Sequence, residues 1–126
     1  GVASAIWPHG RWRLDFSGEG NHAGTTRMAD RRDPMLTLAD TVLTASMEAR
    51  LRGAHATVGR VSVEPNATNA IPSRATAWLD ARAADDTILS ALVAAVEACA
   101  TKRATRDGTS VTVTAARTID SVNAST

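Results

Sequence analysis

The chain has 126 residues, enough for one domain that buries roughly two thirds of its unfolded surface with no disulfide or metal. Hydrophobic residues make up 44% and charged residues 21%, the balance of a globular domain, and no apolar run approaches the roughly 20 residues of a membrane span. A net charge of +1, only 3% aromatics and no tyrosine leave no case for nucleic-acid or membrane partners. The lone Cys99 excludes an internal disulfide and suits a reducing cytoplasm, and Gly1 opens no signal-peptide pattern.

Trp12, Leu14 and Phe16 alternate with Arg11, Arg13, Asp15 and Ser17, and this period of two predicts a half-buried strand. Residues 2–7 are expected to form its partner strand, with Pro8-His9-Gly10 as the turn between them. Asp33 as N-cap and Pro34 at the first helical position open a helix that Gly53 closes. Its core-facing arc is expected to hold Met35, Leu36, Leu38, Ala39, Val42, Leu43 and Met47, with Thr37, Asp40, Thr41, Thr44 and Glu48 opposite.

Residues 58–64 read as a strand with a possible bulge at Gly59, and residues 65–72 as a polar loop. From 75 to 82 the pattern alternates again: Ala75, Ala77, Leu79 and Ala81 against Thr76, Trp78, Asp80 and Arg82. A second helix opens at Asp85 or Asp86 and runs to about Arg103, with Ile88, Leu89, Leu92, Val93, Val96 and Cys99 on its apolar face. Val111 and Val113 anchor a last strand reaching about Ile119. The order βαββαβ predicts an α+β, ferredoxin-like domain spanning residues 1–126, an antiparallel sheet with two helices on one face. The opposite face sets Trp78 among Arg13, Asp15, Asp80 and Arg82, and such a surface is expected to be covered by a partner.

Motifs for chemistry within the chain are few. His9, His22 and His55 fall on separate elements in no HxD, HxxE or HExxH spacing, so no metal site is read from this chain. No nucleophile elbow or phosphate-cradling glycine loop is present. Three features nonetheless suit a polar site. Gly20-Asn21-His22-Ala23-Gly24-Thr25-Thr26 sets an imidazole among small residues that leave room for a ligand. The loop Glu64-Pro65-Asn66-Ala67-Thr68-Asn69-Ala70-Ile71-Pro72 stiffens two amides that both donate and accept. Arg82 offers a planar fork for a carboxylate. From the residues alone each also has an ordinary reading: a loop hydrogen bond, turn asparagines, and a surface ion pair with Asp80 or Asp85.

At these places the sequence resembles the M20 metallopeptidase-like amidohydrolases, in the branch of N-carbamoyl-L-amino acid hydrolases, β-ureidopropionases and allantoate amidohydrolases. The resemblance rests on Gly20 to Met28 with Arg31-Arg32-Asp33, on Val58-Gly59-Arg60-Val61 through Pro72, and on Leu79-Asp80-Ala81-Arg82. It departs from the family at Arg27, where proline is usual. It implies a lid domain that pairs with its copy in a homodimer. The catalytic domain, with its general-base glutamate and two divalent metal ions of the zinc or manganese class, would lie outside this chain, which would hold no cofactor and be inactive alone. By the same resemblance, His22 reaches into the partner subunit's site to polarise the scissile ureido carbonyl, while Asn69 and Arg82 hold the carboxylate of a carbamoyl or ureido amino acid. The end at Asp120 to Thr126 falls where the family's chain returns to its catalytic domain, which implies a fragment. Two other readings stay open: a free-standing ferredoxin-like module that dimerises or binds a small acid, and an M20 aminoacylase or peptidase, against which the Asn69 loop and Arg82 argue.

Overall fold

The structure, a computed structural model, describes residues 6–116. Strand β1 (His9–Ser17) is followed by a two-residue strand β2 (Asn21–His22), a 3-10 turn at Met28–Asp30 and helix α1 (Pro34–Leu51). Then come β3 (His55–Glu64), the short β4 (Ala70–Ile71), β5 (Arg74–Arg82), helix α2 (Asp86–Asp107) and β6 (Ser110–Ala115). The four main strands form one sheet in the order β3-β5-β1-β6, and every neighbouring pair is antiparallel. This is the expected α+β, ferredoxin-like arrangement; α1 lies over β3 and β5, and α2 over β5 and β6.

Alternation along β1 and β5 builds the core. Leu14, Phe16, Ala75, Ala77, Leu79 and Ala81 are each at most 2% exposed and face Leu38, Ala45, Leu89, Leu92, Val96 and Ala100 of the helices. The alanines of β5 let the helices approach closely, so the few large side chains carry most of the apolar burial. Phe16→Ala is therefore expected to cost about 3–5 kcal/mol of unfolding free energy, read from urea denaturation. A loss under about 1 kcal/mol would show that the core closes around the gap. Asp33 caps α1 as its sequence predicts, accepting from the Met35 N–H at 2.9 Å, and of Asp85 and Asp86 it is Asp85 that caps α2, accepting from the Ile88 N–H at 2.8 Å. Gly53 and Gly108 take the left-handed conformation that ends each helix, with φ of 62° and 73°.

The structure corrects several boundaries, and one falls outside the described residues. His9 and Gly10 belong to β1, opposite Arg82 and Ala81, rather than to a turn, and the Ala83 N–H donates to the Pro8 carbonyl at 3.1 Å to prolong that ladder. Ile6 and Trp7 lie in no strand, and the rest of the expected partner strand falls outside the described residues. Helix α2 continues past Arg103, because Arg103 pairs with Asp107 one turn on at 2.9 Å, and Asp107 also accepts from the Thr37 hydroxyl at 2.7 Å. Strand β6 ends at Ala115; the expected end at Ile119 lies outside the described residues.

The orientation of α1 is the larger correction. Its buried face is Pro34, Thr37, Leu38, Thr41, Ala45 and Ala49, whereas Leu36, Leu43, Met47 and Leu51 face outward, Leu43 71% and Leu51 72% exposed. Two threonines can be buried because their hydroxyls are satisfied. Thr37 bonds Asp107 and Thr109, each at 2.7 Å, and Thr41 donates to the Thr37 carbonyl at 2.8 Å. Small residues pack α1 against α2, and the leucines are left on a stripe that nothing among the described residues covers. On the open face of the sheet, by contrast, Trp78 is half-buried, with the Arg60 guanidinium 4.1 Å from its ring centroid. Part of its cover therefore comes from this chain rather than from a partner.

Candidate functional site

The two loop motifs meet at one end of the sheet. Past Ser17 the chain passes so close to Arg32 that a Cβ on Gly18 would lie 2.2 Å from the Arg32 carbonyl oxygen, a position only glycine fits. Backbone bonds fix the crossing: Gly18 N–H donates to the Ser73 carbonyl at 3.0 Å and Glu19 N–H to the Arg32 carbonyl at 2.8 Å. Strand β2 then pairs with β4, setting His22 opposite Ala70, and the Ala23 N–H donates to the Asn69 carbonyl at 2.9 Å. Both stretches read as loops in the sequence; in the structure they form one short ribbon. It brings His22 and Asn69 together, and both are exposed.

Local bonds fix how His22 is presented. Its Nδ1 accepts from the Gly24 N–H at 2.9 Å. The neutral ring therefore carries its proton on Nε2, the nitrogen left to donate to a ligand. A side chain at Gly24 would press on the ring, its Cβ 3.1 Å from Cε1. The His22 carbonyl accepts from the Thr26 hydroxyl at 2.7 Å and from the Thr25 N–H at 3.4 Å, closing the turn. One residue to which the sequence reading gave no role also enters here. Arg31 donates from Nε and Nη2 to the Thr26 carbonyl at 3.1 and 3.0 Å, and from Nη2 to the Ala23 carbonyl at 2.7 Å. Its only signal in the sequence was its place in the Arg31-Arg32-Asp33 string.

Arg82 is not part of this corner. It sits at the opposite end of β5 from Arg74, about 26 Å along the strand at roughly 3.3 Å per residue. It forks onto Asp80, Nε to Oδ1 at 2.9 Å and Nη2 to Oδ2 at 3.3 Å, and Arg11 joins the same carboxylate at 3.3 Å. The ordinary ion-pair reading of Arg82 is thus realised in this chain. Hydrogen bonding from Arg82 holds the Asp80 carboxyl below its usual range despite partial burial, with Arg11 adding to the effect. Toward the Arg74 end of the same face, the Asp15 carboxyl is also lowered. Burial opposes its charge, but bonds from Arg13 and Thr76 and the charges of Arg13 and Arg74 outweigh it. A hollow of about 460 Å³ beside Trp78, lined by Arg11, Arg60 and Asp80, includes none of the three predicted site residues.

Among the described residues no group of three or more His, Cys, Asp or Glu side chains is placed to hold a metal ion, so these residues do not fit one. No helix among them is long and apolar enough to cross a membrane.

Comparison with known proteins gives a consistent picture. Residues 9–108 match the family model described as the peptidase dimerisation domain of the M20 group. The chain is 34% identical over 91 residues to an allantoate amidohydrolase of Escherichia coli (strain K12), an alignment covering 71% of this chain and 22% of that protein. It is 39% identical over 83 residues to an N-carbamoyl-L-amino acid amidohydrolase of Geobacillus stearothermophilus, covering 65% of this chain and 19% of that one. A crystal structure of an amidase of the hydantoinase/carbamoylase family from Burkholderia multivorans superposes with a TM-score of 0.86 at 28% identity, over 90% of this chain and 28% of that chain. The chain spans about a fifth of the length of the curated relatives it matches.

Proposed function

The chain belongs to the M20 peptidase dimerisation-domain family, and from that membership we propose that it is the lid of a longer amidohydrolase acting on carbamoyl or ureido acids. The observation that carries this reading is the placement of the three candidate groups. His22 and Asn69 share one end of the sheet and Arg82 stands at the other, so a single copy cannot close them on one small ligand. Two copies can.

Among the described residues strand β3 is a sheet edge, ten residues long and paired with β5 alone. It runs from the Arg82 end, where His55 lies opposite Arg82, to the Arg74 end, where Glu64 lies opposite Arg74. A free edge of this length is a template for another strand. Antiparallel pairing of β3 with its own copy would reverse the second sheet. The His22–Asn69 corner of one subunit then arrives beside Arg82 of the other, with the two β5 strands three strand spacings apart, about 14 Å. The outward leucines of α1, the helix above β3, supply apolar area for the same contact.

In such a composite site Arg82 would exchange part of its Asp80 pairing for the substrate carboxylate, which its planar fork suits, and the Asn69 amide would complete that contact. The His22 Nε2–H would donate to the oxygen of the carbamoyl carbonyl as charge develops there. Two divalent metals held by the rest of the enzyme would supply an activated water. Allantoate and N-carbamoyl amino acids both set a ureido group near a carboxylate, so this chemistry serves either substrate. The free thiol of Cys99 fits a cytoplasmic setting.

Sedimentation tests the reading. The chain is expected to run as a dimer, and the double variant Leu43→Glu, Leu51→Glu as a folded monomer. The parent enzyme with these changes is expected to lose hydrolysis of N-carbamoyl amino acids and allantoate. A monomeric wild-type chain, or a monomeric parent with full activity, would overturn it.

A further inference from the structure

We propose that Arg31 is the positioning residue of the His22 turn, holding the imidazole as the Nε2–H donor through the carbonyls of Ala23 and Thr26. The inference rests on the amidohydrolase reading for its catalytic consequence, but its structural content stands without that reading.

Several arginines of this chain meet carboxylates, among them Arg11 and Arg82 on Asp80, Arg13 on Asp15, Arg27 on Asp30 and Arg103 on Asp107. No ion pair among the described residues involves Arg31. Its guanidinium makes three bonds to two backbone carbonyls of one turn, at 2.7, 3.0 and 3.1 Å. These carbonyls flank the residue whose N–H matters most, since Gly24 lies between Ala23 and Thr26 and donates to Nδ1 of His22. A planar fork on both carbonyls fixes the peptide planes around Gly24, and with them the direction of that N–H.

A turn of Gly, Ala and Thr has no side-chain bulk to hold itself in one conformation, and glycine gives it the most freedom to lose. Without the clamp the Gly24 N–H can swing away, Nδ1 can take the proton, and Nε2 becomes an acceptor facing a developing oxyanion. The same turn donates the Ala23 N–H to Asn69, so Arg31 also steadies the link between the two loops. It lines the cleft of about 250 Å³ between them, with Asp33, Asn66, Thr68 and Ile71.

The test uses ¹⁵N-labelled chain and two-bond ¹H–¹⁵N correlation of the histidine rings. His22 in the wild type is expected to show an unprotonated Nδ1 and a protonated Nε2. Arg31→Ala should mix the tautomers, and Arg31→Lys, which keeps the charge but not the fork, should restore them only in part. A wild-type His22 pattern in Arg31→Ala overturns the proposal. Arg31→Gln keeps one donor and serves as the second variant; loss of dispersed amide signals across the whole chain in both would assign Arg31 to stability instead and also overturn it.

In the parent enzyme Arg31→Ala is expected to lower kcat by up to about 100-fold, the cost of misplacing a catalytic group by roughly 1 Å. It should cost nothing further once His22 is already alanine, whereas additive losses would overturn the coupling. A parent that hydrolyses no ureido acid would sink the enzymatic reading while the ring spectra still decide the clamp.

Discussion

Replacing His22 by alanine in the full-length enzyme is expected to lower kcat by about 100-fold or more and to leave KM nearly unchanged. The split follows from where the groups sit. The proposed carboxylate contacts are Asn69 and Arg82, and alanine at position 22 touches neither side chain. What is lost is a donor whose value rises as the carbonyl oxygen gains charge, about 2.7–4 kcal/mol for one such donor. The backbone survives the change, because β2 is held to β4 by main-chain bonds and His22 is exposed. His22→Gln, which keeps an N–H donor on a longer stem, should recover part of the rate. Steady-state kinetics on an N-carbamoyl amino acid decides it. Near-normal turnover by the alanine variant would remove the imidazole from the chemistry.

The second large effect is one of complementation. His22→Ala and Arg82→Ala homodimers are each expected to be nearly inactive, the first through kcat and the second mainly through KM. Mixed under conditions that allow subunit exchange, they should regain about a quarter of wild-type activity. Random pairing makes half the dimers hybrid, and each hybrid has one site with both groups intact and one with neither. The arithmetic holds only if the imidazole and the guanidinium of one site come from different subunits. If both came from a single subunit, every site in the hybrid would lack one group and mixing would restore nothing. That outcome would end the cross-subunit reading without touching the fold.

Much of the scaffold could be read from residue pattern. Alternation at Trp12, Leu14 and Phe16, and at Ala75 through Ala81, marks strands because one face of the sheet is buried. The caps at Asp33, Asp85 and Gly53 act locally and so are legible locally. The apolar pattern misorients helix α1, because apolar count is a poor guide where threonines replace leucines inside. Thr37 and Thr41 are buried only because Asp107, Thr109 and a helix carbonyl accept or share their bonds, and Asp107 lies on the other helix. For the site, the resemblance supplied His22, Asn69 and Arg82. Pattern could not show that the first two share a ribbon while the third lies a strand's length away, since two-residue strands leave no periodicity to detect. Arg31 escaped for a related reason: its partners are backbone carbonyls, which every residue has.

The pairing of β3 with β5 slips by one residue between Val58 and Arg60, with Gly59 the surplus residue, and this has a meaning beyond the sheet interior. Ala56 and Val58 lie opposite the buried Ala81 and Leu79, and Val61 and Val63 opposite Ala77 and Ala75, so removing Gly59 would leave every inward side chain inward. What the extra residue alters is the rhythm of donors and acceptors along the open border of β3. A flat strand from an unrelated neighbour would fall out of step halfway along, which disfavours edge-to-edge growth from that border. The same interruption limits which registers a twin copy can adopt, so one surplus glycine narrows an otherwise indiscriminate seam.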